Sequence, residues 1–156
     1  MRLIFLTDHW PYPPGETFLT SDIEALSKHI DEIIVVPVGL DFEESSVPYS
    51  ISPKITVNIK PVTLAVKVWN SWGKFRRAIK GLSRPDILRS ERSRKPSLPW
   101  SIIIGELAQS LLLKDTIAQT ITLSNNDIIV AYWANRPATI AALLTENRTE
   151  IKTISF

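Results

Sequence analysis

Cysteine is absent from the 156 residues, which excludes disulfides, thiolate zinc sites and a cysteine nucleophile. No apolar run approaches the ~18 residues that a membrane-spanning helix requires. Leu3–Leu6 is too short for the hydrophobic region of a secretory leader and runs straight into Asp8 and three prolines. Glycine occurs only five times, never in a dinucleotide-binding or P-loop spacing. The two histidines, His9 and His29, have no acid or other ligand spaced to complete a metal site. No metal or other resident cofactor is therefore expected. Hydrophobic residues make up 44% and charged residues 22%, enough apolar matter for a core and too few charges for wholesale disorder. A soluble chain, expected in the cytoplasm, is the reading these absences leave.

The net charge of +2 conceals an asymmetry. Residues 61–95 hold ten Lys/Arg against Asp86 and Glu91, a local +8, while the remainder carries −6. The basic character is confined to one stretch.

The rest of the chain is organised around residues 1–18. Arg2 to Thr7 is a short apolar run suited to a buried strand, and Asp8-His9-Trp10-Pro11-Tyr12-Pro13-Pro14-Gly15 ends it, because proline removes backbone donors and fixes φ. Glu16 then opens a helical pattern with Leu19, Ile23, Leu26 and Ile30 on one stripe. Strand, stiff loop and helix start form the first half of a βαβ unit, with the loop at the strand's carboxyl end, where open α/β sheets bind ligands.

Glu32 to Val38 reads as a second strand, apolar on both faces as covered parallel strands are. Residues 39–54 read as an acidic loop, and Ile55 to Ile59 as a third strand near an edge. The pattern predicts a helix from Thr63 to Leu82, its apolar stripe running through Leu64, Val68, Trp72, Phe75, Ile79 and Leu82. Ser83 to Ser97 shows no clean period, is broken by Pro85 and Pro96, and reads as the least ordered part. A long helix follows from Pro99 towards Ile121, then a strand at Ile128 to Tyr132, a helix from Ala138 to Leu144 and a last strand from Ile151 to Phe156. The order β-α-β-β-α-α-β-α-β predicts a Rossmann-like α/β domain: a doubly wound, mostly parallel sheet with helices on both faces.

Pro-Tyr-Pro-Pro-Gly-Glu-Thr-Phe-Leu (Pro11 to Leu19), followed by Asp22-Ile23-Glu24-Ala25-Leu26, resembles the start of family 4 glycosyltransferases. The later segment, Ala131-Tyr132-Trp133, Ala138 to Leu144 and Ile151 to Ser155, is similar to the same family. The resemblance covers about the first forty and last thirty residues. It implies the GT-B fold, two Rossmann-like domains facing across a cleft. Residues 1–156 would be the N-terminal, acceptor-side domain with a basic helix and linker insertion at about 61–97. The family's Arg-x-His-Gly-x-Asp segment and its donor-binding domain are not in this sequence. The resemblance therefore implies sugar transfer from a nucleotide sugar to a glycan or lipid-linked acceptor, without assigning any catalytic residue here. It implies contact with the inner face of the membrane and no nucleic-acid partner.

Each candidate residue carries two readings. The backbone at Gly15, Glu16 and Thr17, at a helix N-terminus, suits a donor diphosphate, or Gly15 merely makes a turn. His9 and Trp10 suit an acceptor pocket by hydrogen bonding and stacking, or Trp10 packs on the neighbouring prolines. Tyr132, Trp133, Asn135 and Arg136 combine aromatic, amide and guanidinium groups suited to a sugar or a lipid-linked phosphate, or they serve packing and capping. Lys67, Trp69, Lys74, Arg76, Arg77 and Lys80 suit an anionic membrane surface, or form a solvated face. A non-catalytic Rossmann-like module that binds a partner protein or a membrane is the alternative to the enzyme.

Overall fold

The structure, a computed structural model, describes residues 1–13, 16–39, 50–69, 83–133, 135–148 and 150–155. Five parallel strands form one sheet: β1 (Arg2–Thr7), β2 (Glu32–Pro37), β3 (Ile55–Val57), β4 (Asp127–Ala131) and β5 (Lys152–Ser155), in the order β3-β2-β1-β4-β5. The described helices are α1 (Leu19–Leu26), α2 (Lys60–Trp69), α3 (Pro85–Arg94), α4 (Trp100–Thr120) and α5 (Arg136–Thr145). The chain is an α/β domain with a Rossmann-like, doubly wound sheet, as its sequence predicts.

The winding follows from handedness. Crossovers between parallel strands are right-handed, so strands added on opposite sides of β1 place their helices on opposite faces. β1 continues to β2 on one side and β4 to β5 on the other. Side chains alternate accordingly along β1. Leu3 and Phe5 pack with Leu19 and Ile23 of α1, and Ile33 and Val35 of β2 share that layer. Ile4 and Leu6 face the other layer, with Val62 and Ala65 of α2, Leu112, Leu113 and Ile117 of α4, and Ile140 and Leu144 of α5. Each fully buried Leu or Ile contributes roughly 1.5–3 kcal/mol, so these two layers hold the sheet.

At the amino edge, Arg2 and Asp127 face each other in register across β1 and β4. The guanidinium grips the carboxylate with two bonds, Nε to Oδ1 at 3.0 Å and Nη2 to Oδ2 at 2.6 Å. Ser124 supplies two more donors, its amide at 2.7 Å and its hydroxyl at 3.0 Å.

Four local expectations change. The first helix opens at Leu19, after a turn in which the Leu19 amide bonds the Glu16 carbonyl, and Leu26 is exposed. The next helix opens at Lys60, with the Asn58 side chain accepting the Lys60 amide. Its buried residues are Pro61, Val62 and Ala65, which leaves Leu64 outside and Thr63 within the helix. The rest of that expected helix, residues 70–82, lies outside the described residues. Ser83 to Ser97 is not irregular: α3 occupies most of it, entered by Pro85 in the first turn, where the missing N–H costs nothing. Leu88 of α3 packs with Ile103 and Leu107 of α4.

Candidate functional site

The sheet order reverses between β1 and β4. The crevice outside their carboxyl ends is the expected ligand position of an open α/β sheet. The loop after β1 is tightly tied. Thr7 donates its hydroxyl to the Trp10 carbonyl at 2.7 Å, and the Tyr12 amide reaches the His9 carbonyl at 3.0 Å. The Trp10–Pro11 peptide is cis. Beyond β2, the amides of Val38 and Gly39 bond the carbonyls of Thr7 and Asp8, each at 2.8 Å, so the chain after β2 braces the loop.

Glu16 organises this edge. Its buried carboxylate accepts the amides of Asp8 at 3.0 Å, His9 at 3.2 Å and Trp10 at 2.7 Å. It also accepts the indole N–H of Trp133 at 2.9 Å, from the loop after β4. Burial alone would raise the Glu16 carboxyl pKa. Hydrogen bonds from its own amide, the Trp10 and Asp8 amides and the Trp133 indole outweigh burial and hold it below the usual carboxylate range. An internal carboxylate thus fills the amide cluster at the end of β1, as an anion would.

Beside this knot lies a polar cleft of about 270 Å³, lined by Asp8, His9, Lys95, Glu106, Asn135 and Arg136. Asp8 and His9 come from the end of β1, and Asn135 and Arg136 from the start of α5. The His9 Nδ1 stands 4.0 Å from the Asp8 carboxylate. Lys95, just past α3, is ion-paired with Glu106 of α4 and lies 3.7 Å from the buried Glu91 carboxylate. Glu91 also accepts the hydroxyl of Thr139 at 2.6 Å, which locks α3 to α5. The Arg136 guanidinium reaches the Val38 carbonyl at 3.4 Å, while its buried Nε makes no hydrogen bond. Asn135 stands at the N-cap of α5 but makes no side-chain capping bond. The residue is one of those that line the cleft.

The aromatic candidates divide. Trp10 is fully buried, and its indole N–H donates to Thr20 Oγ1 at 3.0 Å. Its ring belongs to the α1 layer of the core. Tyr132 stacks at 6.2 Å on Phe5. Trp133 is 41% exposed and Phe18 50% exposed, and the two rings meet edge to face at 6.3 Å. Trp133 is therefore an exposed aromatic whose indole N–H is fixed to Glu16.

Of the residues singled out in the sequence, His9, Asn135 and Arg136 come together in one cleft, and Trp133 joins them through Glu16. Gly15 lies outside the described residues. Thr17 is exposed, and its carbonyl accepts the Thr20 amide. Lys67 is exposed and Trp69 is packed partly against the core, while Lys74, Arg76, Arg77 and Lys80 lie outside the described residues. Asp8, Lys95 and Glu106 escaped the sequence reading. Glu106 carried a signal, as the one charged residue between Trp100 and Leu113. Among the described residues, no group of three His, Asp or Glu side chains is placed to hold a metal ion, and no helix is long and apolar enough to cross a membrane. No family model matches the chain, and no curated protein or solved structure matches it.

Proposed function

We propose that this chain is the acceptor-side domain of a retaining, GT-B, family 4 type glycosyltransferase. It would present a glycan or lipid-linked acceptor to a nucleotide sugar in cell-surface polysaccharide synthesis. The observation that carries this reading is the pairing of a polar cleft with a fixed, exposed Trp133 at the β1/β4 switch point.

The cleft's chemistry suits a polyhydroxyl ligand better than a simple anion. Asp8 and Glu106 supply acceptors, Lys95 and Arg136 supply donors, and Asn135 and His9 supply both. Each sugar hydroxyl is itself donor and acceptor, so a mixed lining matches it. The formal charges of the two carboxylates and two cations cancel, which gives no strong field for a bare phosphate. Trp133, two residues before Asn135 and outside the cleft lining itself, offers an exposed ring that suits the apolar face of a sugar. Trp10, being buried, drops out of the acceptor set.

Glu16 acts as a positioning residue, because it binds the 8–10 loop and Trp133 to one carboxylate. A donor diphosphate would meet that carboxylate if it approached the 8–10 amides. In this reading the donor phosphates lie on the outer side, near residues 15–17 and a donor-binding domain. Negative charge on the departing diphosphate would be stabilised mainly by that domain.

The test uses the 156-residue chain with radiolabelled nucleotide sugars and oligosaccharide acceptors. It should transfer no sugar yet retain saccharide in equilibrium dialysis. Turnover by the chain alone would refute the half-cleft reading. Absence of saccharide retention would refute the acceptor reading.

A further inference from the structure

The two cations of the cleft are not equivalent. Lys95 lies between two carboxylates, ion-paired with Glu106 and 3.7 Å from Glu91. No carboxylate of a described residue pairs with Arg136. Its one hydrogen bond runs from Nη1 to the Val38 carbonyl at 3.4 Å, which is long for an N–H donor. Its Nε is buried and makes no hydrogen bond. Buried donors in native proteins are nearly always satisfied, so an orphaned one on a cleft residue points to an acceptor supplied by a ligand.

Arg2 shows what the vacant edge takes. Its Nε and Nη2, parallel donors on one side of the guanidinium, hold the two oxygens of Asp127 at 3.0 Å and 2.6 Å. In Arg136 the same pair has no acceptor. A turn of the guanidinium would carry this fork into the cleft that Arg136 lines, and would give up only the long bond to Val38. The charges of the cleft lining cancel in sum but not in place, because the unpaired positive charge sits at Arg136.

A carboxylate fits that fork in shape and in charge. It is planar, takes both parallel donors and brings the single negative charge that one guanidinium balances. A phosphate monoester brings nearly two charges into a lining that already holds Asp8 and Glu106. Asp8, His9 and Asn135 remain as donors and acceptors for hydroxyls.

We propose that Arg136 is a specificity residue that selects an acceptor sugar bearing a carboxylate, a uronic acid, through its Nε–Nη2 fork. This rests on the acceptor reading above and narrows it from polyhydroxyl ligands in general to acidic ones.

The experiment titrates the 156-residue chain with two matched pairs, methyl glucuronide with methyl glucoside and methyl galacturonide with methyl galactoside. Glucose 6-phosphate is the third kind of probe. Each pair differs only in a carboxylate for a hydroxymethyl group. Binding is followed by heteronuclear NMR that includes the arginine Nε–H signals, and the backbone spectrum checks that each variant folds. At least one uronide should bind roughly ten-fold tighter than its neutral partner. It should also shift the Arg136 Nε–H, identified as the signal lost in Arg136→Gln. In that variant the ratio should fall to about one, and Arg136→Lys, which keeps the charge without the fork, should restore only part of it. Equal affinity within both pairs, or a preference that survives Arg136→Gln, would overturn the inference and leave the acceptor reading standing. Tighter binding of glucose 6-phosphate than of either uronide would also overturn it, in favour of a phosphate site. Silence from every sugar would sink both readings together.

Discussion

The indole N–H of Trp133 donates to Glu16 Oε1 at 2.9 Å, joining residues 117 apart in sequence. The same oxygen accepts the Asp8 amide, and its partner Oε2 accepts those of His9 and Trp10. One carboxylate therefore sets the loop after β1 and the loop after β4 at a common height on the sheet's carboxyl edge. The cleft's shape depends on that bond set.

Replacing Glu16 by alanine strips four donors of their acceptor. A buried donor left unpaired costs about 1–3 kcal/mol, and partial rehydration at this edge limits the sum. We expect about 2–4 kcal/mol lost in urea unfolding, together with new chemical shifts at Asp8, His9 and the Trp133 indole. A loss below about 0.5 kcal/mol with unmoved indole shifts would show that the loops hold without Glu16.

The same carboxylate makes stability depend on acid. Its folded pKa lies below the ordinary glutamate value, so its contribution is complete above about pH 4.3. It is lost as pH falls through the lower folded value. The urea midpoint should stay level from pH 7 to about 5 in this respect and decline below about 4. Glu16→Gln should flatten part of that decline. An unchanged acid slope in the variant would contradict the assignment.

Asp127 should behave in parallel at the opposite edge. Burial alone would raise its carboxyl, but the bonds from Arg2 and Ser124 outweigh it and hold the group below the ordinary range. Asp127→Ala leaves Arg2, about a quarter exposed, without its carboxylate and strips the Ser124 amide and hydroxyl of their acceptor, so it should cost about 1–3 kcal/mol. Replacing both partners together, Arg2→Met with Asp127→Leu, should recover most of that loss. A double variant as unstable as the single one would argue that the pair is not what matters.

Gly39 controls the His9 side of the cleft. A Cβ there would lie 2.9 Å from His9 Nε2 and 3.0 Å from the Asp8 carbonyl. The imidazole can swing away, but the carbonyl belongs to the braced loop. Gly39→Ala should cost about 1–3 kcal/mol and shift the His9 ring resonances while leaving the Arg2–Asp127 edge unmoved. A neutral substitution with unshifted His9 signals would place the two segments further apart than they stand here.

Much of the fold was legible because apolar periodicity reports it directly. The strands around Ile4, Val35 and Ile129 and the long helix through Leu107 and Leu111 fall where their patterns put them. Two of the failures share one cause, which is burial of polar groups. α3 was hidden because one of its two buried side chains is Glu91, a carboxylate satisfied by Thr139, Arg94 and Lys95. Hydrophobic spacing cannot show such a residue, and Pro85 looked like a breaker where it is a helix start. Glu16 was singled out for its backbone, and the role of its carboxylate was hidden for the same reason, since its acceptors are filled mainly by backbone amides that no sequence pattern marks. Trp10 looked available for stacking because its partner, Thr20, lies in a different element. In the cleft, His9, Asn135 and Arg136 were legible as loop residues beside strand ends. Asp8 sat unweighed among them, and Lys95 and Glu106 arrive from the α3–α4 crossover, whose packing the sequence did not show.

Saturation-transfer difference NMR of the chain with methyl glucoside, galactoside, mannoside and rhamnoside tests the acceptor site most directly. The account predicts saturation of ring protons for at least one glycoside, lost on Trp133→Ala and reduced on Glu16→Gln, with uridine monophosphate giving no comparable signal. Saturation that survives Trp133→Ala, or a signal from the nucleotide and none from any sugar, would contradict it.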